Sequence, residues 1–444
     1  MVIKEFGSNR SVSIAPLVTF RITFGLLMLG SLIRFWWRGW ITALYVTPPF
    51  HFTYWGFEWV QPLGDTGMYL LVFVLISCAL LVTLGLFYRP AIVIFFLGFT
   101  YVELIDVTTY LNHYYFISLV AFLLVWLPAN RYYSLDAYFG FIKPRLRVPR
   151  WTIGILRFQM ALVYVFAGLA KLNADWLLRA EPMKTWLPSK SHLPIVGSFM
   201  YDDWVAYLFS WFGAGYDLFI VFFLLNRKTR PTAYGFVLLF HAATALFFPA
   251  IGMFPYVMIA SSLIFFSGEF HQKLLSFLPF RQVALPAEPY QFWYRNVAAG
   301  LVVVYVCVQL LVPIRYLLYP GKLFWTEQGY RFSWRVMLME KAGAAYFTVK
   351  DQTGKKSWTV DNGQYLTPLQ EKMMSSQPDL ILKYAHYVAD QFKAKGVAGP
   401  KVYAEVYVTL NGEPSRLFVD STVNLAAKKL SWRPYDWVLP FDTN

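Results

Sequence analysis

Apolar runs of about 20 residues constrain this chain most, because that length of helix crosses a bilayer core and little else needs it so often. About nine such runs stand along the sequence. They lie near Pro16–Trp36, Met68–Tyr88, Ala91–Val107, His113–Leu127, Trp151–Leu172, Tyr216–Leu225, Thr232–Phe248, Phe254–Phe266 and Val297–Val312. The sixth and eighth are the shortest. Composition agrees: 57% of the 444 residues are hydrophobic and only 14% charged, where a soluble chain carries about 25%. The expected fold class is a mainly α polytopic membrane protein of about nine transmembrane helices, followed by a C-terminal extracytoplasmic α+β domain.

The net charge of +14 points to the membrane and not to nucleic acid. The basic residues are dispersed among short links between apolar runs. With the N-terminus cytoplasmic, the inner links hold Arg89, Arg131, Lys143, Arg145, Arg147, Arg150, Arg227, Lys228, Arg230, Lys273 and Arg281, as the positive-inside rule requires. The first apolar run is too long for a signal peptide and has no small-residue cleavage site, so it reads as an uncleaved helix of a multi-pass inner (plasma) membrane protein. An odd number of spans then puts everything after Val312 outside. Cys78 and Cys307 both fall inside apolar runs and imply neither a disulfide framework nor a metal site.

After the last run, charge rises and turn signals begin. The division is expected at 1–317 for the bundle and 318–444 for the soluble domain. AAYFTVKDQTGKKSWTV predicts a hairpin around Thr353-Gly354. PDLILKYAHYVADQFKAKG predicts an amphipathic helix ending at Gly396, and KVYAEVYVTLNGEPSRLFV a second hairpin turning at Asn411-Gly412. The long aromatic loops Trp37–Gly64 and Trp176–Phe212 are expected to lie in the outer interface as anchoring belts.

Ionisable groups at bilayer depth are costly and few. Arg21 and Arg157 fall near inner helix ends, where snorkelling to lipid phosphates accounts for them. The remainder collect in the outer half of the bundle: Glu103, Asp106, Asn112, His113, Lys171, Asp217 and His241, contributed by five runs. Singly each has a structural explanation; their convergence points to a site. A lysine in an apolar pocket beside neutral imidazoles has its uncharged form favoured, and a neutral amine is a base. Asp175, one helical turn beyond Lys171, opposes this by restoring the charge. No HExxH, phosphate-binding glycine loop, GxSxG or CxxC pattern is present, and the histidine spacing predicts no metal. A transporter would show repeated halves and broken helices, and the sequence shows neither.

Three segments together, LRFQMALVYVFAGLAKLNADW, DVTTYLNHYYF and FHAATALFFPAIGMFPYVMIASS, resemble the vitamin K-dependent γ-glutamyl carboxylase family. The resemblance begins at FRITFGLLML and runs to VYAEVYVTLNGEPSRLFVD, nearly the whole chain. It implies an HTTM-type bundle that binds reduced vitamin K. A lysine base deprotonates the quinol, reaction with O2 yields a strongly basic alkoxide and the 2,3-epoxide, and CO2 adds to the γ-carbon of a peptidyl glutamate. On this reading Lys171, His113 and His241 are catalytic, and Asn112, His113, Tyr164 and Asp106 bind the cofactor. The implied partners are a glutamate-containing peptide or protein and the lipid bilayer. The chain departs from the family in three places. SWRVMLMEKAGAAYF holds no histidine where the animal enzyme has several. Thr244 stands where an asparagine is common. The animal disulfide between bundle and soluble domain cannot form. A quinol oxygenase without glutamate carboxylation, or a quinone- or lipid-binding membrane protein, is therefore the alternative.

Overall fold

A computed structural model describes residues 10–278, 290, 292 and 295–441. The first nine residues and Arg281, expected on the inner side, lie outside them. The bundle is built from α1 (Ala15–Trp37), α2 (Gly64–Leu84), α3 (Tyr88–Ile105), α4 (Asn112–Trp126), α5 (Trp151–Ala170), α6 (Asp203–Leu225), α7 (Arg230–Phe247), α8 (Phe254–Ser262) and α9 (Arg295–Ile314). Among the described residues six helices are long and apolar enough to cross a membrane: those of α1, α2, α3, α5, α6 and α9. Of the nine expected spans, six are matched by helices of spanning length and hydropathy, and α4, α7 and α8 fall short of one or the other. α4 has 15 residues, about 22 Å of rise against a hydrocarbon core of about 30 Å. It stops where Pro128 follows Leu127. α8 tightens into a 3-10 turn at Leu263–Phe265.

The sixth run was read too short. α6 starts at Asp203, so the last ten residues of the expected outer loop are helix. Asp203, Ser210 and Asp217 interrupt its apolar pattern. The Trp176 ring packs on α6 at Gly213, where a Cβ would lie 3.6 Å from it, in ordinary contact.

The two arginines expected to snorkel do not. Arg21 is fully buried and donates to the carbonyls of Ala129 at 2.9 Å and Tyr133 at 2.6 Å, pinning α1 to the link after α4. Arg157 donates to Ile264 O at 2.9 Å, satisfying carbonyls freed where the helix after Phe254 ends. Backbone acceptors inside the protein replace lipid phosphates.

The C-terminal part is a four-stranded antiparallel sheet in the order β4-β3-β5-β6, here β3 (Lys341–Lys350), β4 (Ser357–Thr359), β5 (Lys401–Leu410) and β6 (Arg416–Leu417). A short pair, β1 (Ser11–Ser13) with β2 (Arg147–Pro149), lies at the opposite end of the bundle. β3 and β5 pair along their whole length, from Lys341 opposite Leu410 to Lys350 opposite Lys401. Both predicted hairpins form. Asn411 and Gly412 have φ of 50° and 74°, the left-handed pair that a type I′ turn demands. α10 (Pro368–Met374) and α11 (Pro378–Ala394) cover one face, α11 ending before Gly396 as expected. Phe347 of β3 meets Tyr384 of α11 edge-on at 4.9 Å.

The soluble domain does not stand apart from the bundle. Its core continues into Phe52, Val107, Ala170, Trp176, Val205 and Phe247, from the outer loops and helix ends. Phe50 stacks on Tyr387 at 4.3 Å, and Gln370 donates to Phe50 O at 2.7 Å. Within the loop Trp37–Gly64, Phe50 and Phe52 thus dock the soluble domain, while Trp37 and Trp59 stay exposed. The helix ends expected on the outer side are the ones that meet the C-terminal domain.

Candidate active site

Close approach of α5 and α6 creates the site. Gly168 faces Leu218: a Cβ on this glycine would lie 2.6 Å from Leu218 N and 2.7 Å from its Cα, closer than atoms tolerate. With hydrogen in that place the helices touch, and Lys171, one turn further, falls beside Asp217. Lys171 Nζ lies 2.6 Å from Asp217 Oδ2 and 3.4 Å from Ala167 O. Both side chains are buried, at 7% and 9% exposure. Beyond α5 the chain turns on Asn173, whose Oδ1 accepts from Trp176 N at 3.0 Å. That turn brings the Trp176 ring to 5.3 Å from Lys171 Nζ, and Trp176 Nε1 donates to Ser210 O at 2.6 Å.

A cavity of about 350 Å³ opens here, at the lower end of the range for small-molecule sites. Its polar lining is Tyr164, Lys171, Asp217 and Thr244, and aromatic walls come from Trp176, Phe212, Phe240, Phe248 and Phe254. Val336 and Met337, from the segment leading into β3, also line it.

The predicted residues separate into three groups. Lys171 and Tyr164 line the cavity. His241 stands behind it: buried to 1% exposure, its Nε2 is 3.2 Å from Tyr164 Oη, and Tyr164 Oη is 3.3 Å from Ser262 Oγ. His241 Nδ1 is buried with no hydrogen-bond partner among the described residues. His113 is also buried. Phe254 separates it from His241, with ring centroids 6.2 Å and 5.6 Å from the two imidazoles. Among the described residues neither imidazole bonds to Lys171, and the expected amine between two imidazoles is replaced by an amine–carboxylate pair.

Asn112 and Asp106 face the soluble domain. Asn112 Nδ2 donates to Arg335 O at 3.1 Å, which fixes the segment carrying Val336 and Met337. The Asp106 carboxyl accepts from Thr108 N at 2.9 Å, Thr108 Oγ1 at 2.7 Å and Gln370 Nε2 at 2.9 Å, and lies 3.3 Å from His51 Nδ1. It caps the turn after α3 and joins bundle to sheet. Asp106, expected to bind the cofactor, does not line the cavity; its carboxyl is engaged at the interface.

Asp175 is likewise not the partner of Lys171. Its carboxyl takes hydrogen bonds from Arg179 and from Asn411 Nδ2, the latter at 2.8 Å, and lies 3.2 Å from Lys322 Nζ. Arg179 reaches on to Glu413 at 2.5 Å. Burial alone would raise this carboxyl, but the hydrogen bonds from Arg179 and Asn411 and the charge of Lys322 hold it below its ordinary value. The linkage has a definite sign: a depressed carboxylate contributes stability above its unfolded pKa of about 3.9 and loses it as pH falls through the folded value. Asp175→Asn should weaken docking of the Asn411 hairpin by about 1–3 kcal/mol. Amide exchange at residues 405–417 then becomes faster at neutral pH, and in the unaltered protein the same acceleration appears only on acidification below about 4.

Sequence reasoning noted Asp217 without giving it a role. It missed Val336 and Met337, which carry no polar marker. One structural sign accompanies them: Phe332, Trp334 and Met337 have φ of 61°, 59° and 52°, a cluster of left-handed non-glycine residues of the kind found where backbone is held by its surroundings.

The family model for the HTTM domain matches residues 9–270, and the model for the vitamin K-dependent gamma-carboxylase lumenal domain matches residues 294–444. No solved structure matches the chain. The first match alone covers more than half of the 444 residues, and the two in this order leave only a short link between them. The chain belongs to the HTTM family and, by its lumenal domain, to the vitamin K-dependent gamma-carboxylases.

Proposed function

We propose that this chain is a carboxylase of the vitamin K-dependent type, which oxidises reduced vitamin K to its epoxide and couples this to carboxylation of peptidyl glutamate. The observation that carries the reading is the Lys171–Asp217 pair in an apolar cavity. The lining suits a flat, tailed hydroquinone. Aromatic rings flank it, and a hydroxyl can meet Lys171, Asp217 or Thr244 at the polar end. Bound there, the hydroquinone would supply the reducing electrons and the strong base that γ-proton removal needs, with O2 and CO2 as co-substrates.

The chain's own part is proton handling and exclusion of water. The pair acts as one base: when its shared proton rests on Asp217 Oδ2, 2.6 Å away, Lys171 Nζ is a neutral amine and takes a hydroxyl proton from the bound ligand. Tyr164, held by His241 and Ser262, orients the ligand. Asn112 acts at one remove by fixing the segment that closes the cavity, and His113 supports Phe254. Apolar walls keep water from a strong base. The bundle of residues 1–317 would lie in an inner membrane with its N-terminus cytoplasmic, and the domain of residues 318–444 would present the glutamate peptide from outside. A cleft of about 290 Å³ at the junction, walled by Arg315, Lys383, Glu327 and the Arg331–Asp379 pair, is a mixed-charge place for the peptide to enter.

The experiment supplies purified protein with reduced vitamin K, O2, labelled bicarbonate and a glutamate-containing peptide. Labelled peptide and epoxide in step support the proposal. Epoxide without label leaves a quinol oxygenase, the version favoured by the lack of histidine in residues 333–347 and by Thr244. Tight quinone binding with neither product leaves a binding protein.

A further inference from the structure

A second, smaller cavity, of about 40 Å³, lies near the outer end of the bundle. Glu103 of α3 lines it, with Ser31, Tyr45, Tyr54, Tyr110 and Tyr114. Glu103 Oε2 accepts from Ser118 Oγ at 3.1 Å. Its other oxygen, Oε1, is buried and has no hydrogen-bond partner among the described residues. No lysine or arginine forms an ion pair with this carboxyl among the described residues. A carboxylate so placed, with one oxygen bare in a low-dielectric interior, would cost several kcal/mol. Two things relieve that cost together: a proton on the carboxyl, and water in the cavity against Oε1. A volume of about 40 Å³ exceeds the ~10–15 Å³ that one water needs, and phenol hydroxyls supply the further partners that a buried water requires.

The cavity has an outward neighbour. Tyr54 lines both it and the larger cleft at the junction with the soluble domain, where Arg331, Asp379 and Lys383 stand. One phenol therefore separates the buried carboxyl from a cleft that faces the outer aqueous side. On the inner side, Tyr114 meets His113 edge-on at 4.7 Å, and Phe254 closes the way to the main cavity. The charged groups around the cluster are Arg34 of α1, which acts on His113 and Tyr114, Asp106, which acts on Tyr45 and Tyr54, and Arg331 and Asp379, which also act on Tyr54.

We propose that Glu103 is a proton-exchange site, a neutral carboxylic acid that trades its proton with the outer aqueous phase through water in the small cavity and the hydroxyl of Tyr54. In the outward direction Glu103 gives its proton to the cavity water. That water passes one to Tyr54 Oη as Tyr54 releases its own to the cleft. The carboxyl ends one proton poorer and the outer phase one richer, and the reverse sequence restores it. Its hydrogen bond to Ser118 steadies the group in both forms. The proposal does not depend on the quinol reading: a failed carboxylation assay leaves it standing, and its own failure leaves that assay untouched.

The test is infrared difference spectroscopy on the full chain in lipid nanodiscs, transferred from H2O to D2O. A protonated-carboxyl C=O band that shifts in D2O is expected, and Glu103→Gln should remove it. Ser118→Ala should move the band without removing it, which keeps the assignment testable if the Gln variant fails to fold. Tyr54→Phe should slow the H/D shift of the band by roughly tenfold or more, the rate effect of a lost hydrogen bond of about 1.4 kcal/mol. A spectrum unchanged by both Glu103→Gln and Ser118→Ala would show an ionised group and overturn the proposal. Exchange as fast in Tyr54→Phe as in the unaltered protein would overturn the route.

Discussion

Lys171→Ala is expected to lower the rate of epoxide and carboxylated-peptide formation together by at least about 10³-fold, within the 10² to 10⁴ that a positioned base contributes. Both products should fall in parallel, because the deprotonation assigned to Lys171 precedes their separation. Quinone binding, read by fluorescence quenching of Trp176 and its neighbours, should survive, since most of the lining is apolar. A variant that keeps either product at near-normal rate would dismiss Lys171 as the base and leave it an anchor for Asp217.

Alanine alone does not separate chemistry from stability, because the pair is buried. Removing one partner leaves the other charge uncompensated, at a cost of about 3–5 kcal/mol, whereas replacing both by apolar residues of similar volume is close to neutral. Lys171→Met and Asp217→Leu should therefore each lower the thermal midpoint, and the double variant should recover much of that loss. Activity should recover in none of the three. A double variant that regains product would show that the ion pair serves packing only.

How much of this was open to inspection in the sequence depends on the range over which each feature acts. Apolar runs and the Asn411-Gly412 turn are local, and they predicted the spanning helices and the second hairpin. The pairing of Lys171 with Asp217 joins residues 46 apart. Helical periodicity offers only neighbours within a turn, which is why Asp175 looked like the partner and proved to be a fastening for the soluble domain. Arg21 shows the same limit: its acceptors are carbonyls 62 to 112 positions away, invisible to any reading of side-chain types. The contacts of AGLAKLNADW and the residues just after it are divided. Lys171 and Trp176 serve the cavity, while Asp175 and Arg179 serve the interface.

Gly168 offers the sharpest test of that geometry, because it touches no ligand and carries no charge. Gly168→Ala places a methyl 2.6 Å from Leu218 N and 2.7 Å from Leu218 Cα. Backbone on a packed helix cannot swing aside as a side chain can, so α5 and α6 must separate. Overpacking of this kind costs about 1–3 kcal/mol, and the separation carries Lys171 away from Asp217. A displacement of about 1 Å at a reacting group costs on the order of 10²-fold in rate, so activity should fall by about that factor while the chain still folds and inserts. Gly168→Ser should behave like alanine, and Gly235→Ala, where a Cβ meets nothing within 4 Å on α7, should leave activity unchanged. If Gly168→Ala kept full activity with a normal melting profile, the helices would not be in contact there, and the placement of Asp217 beside Lys171 would lose its structural cause.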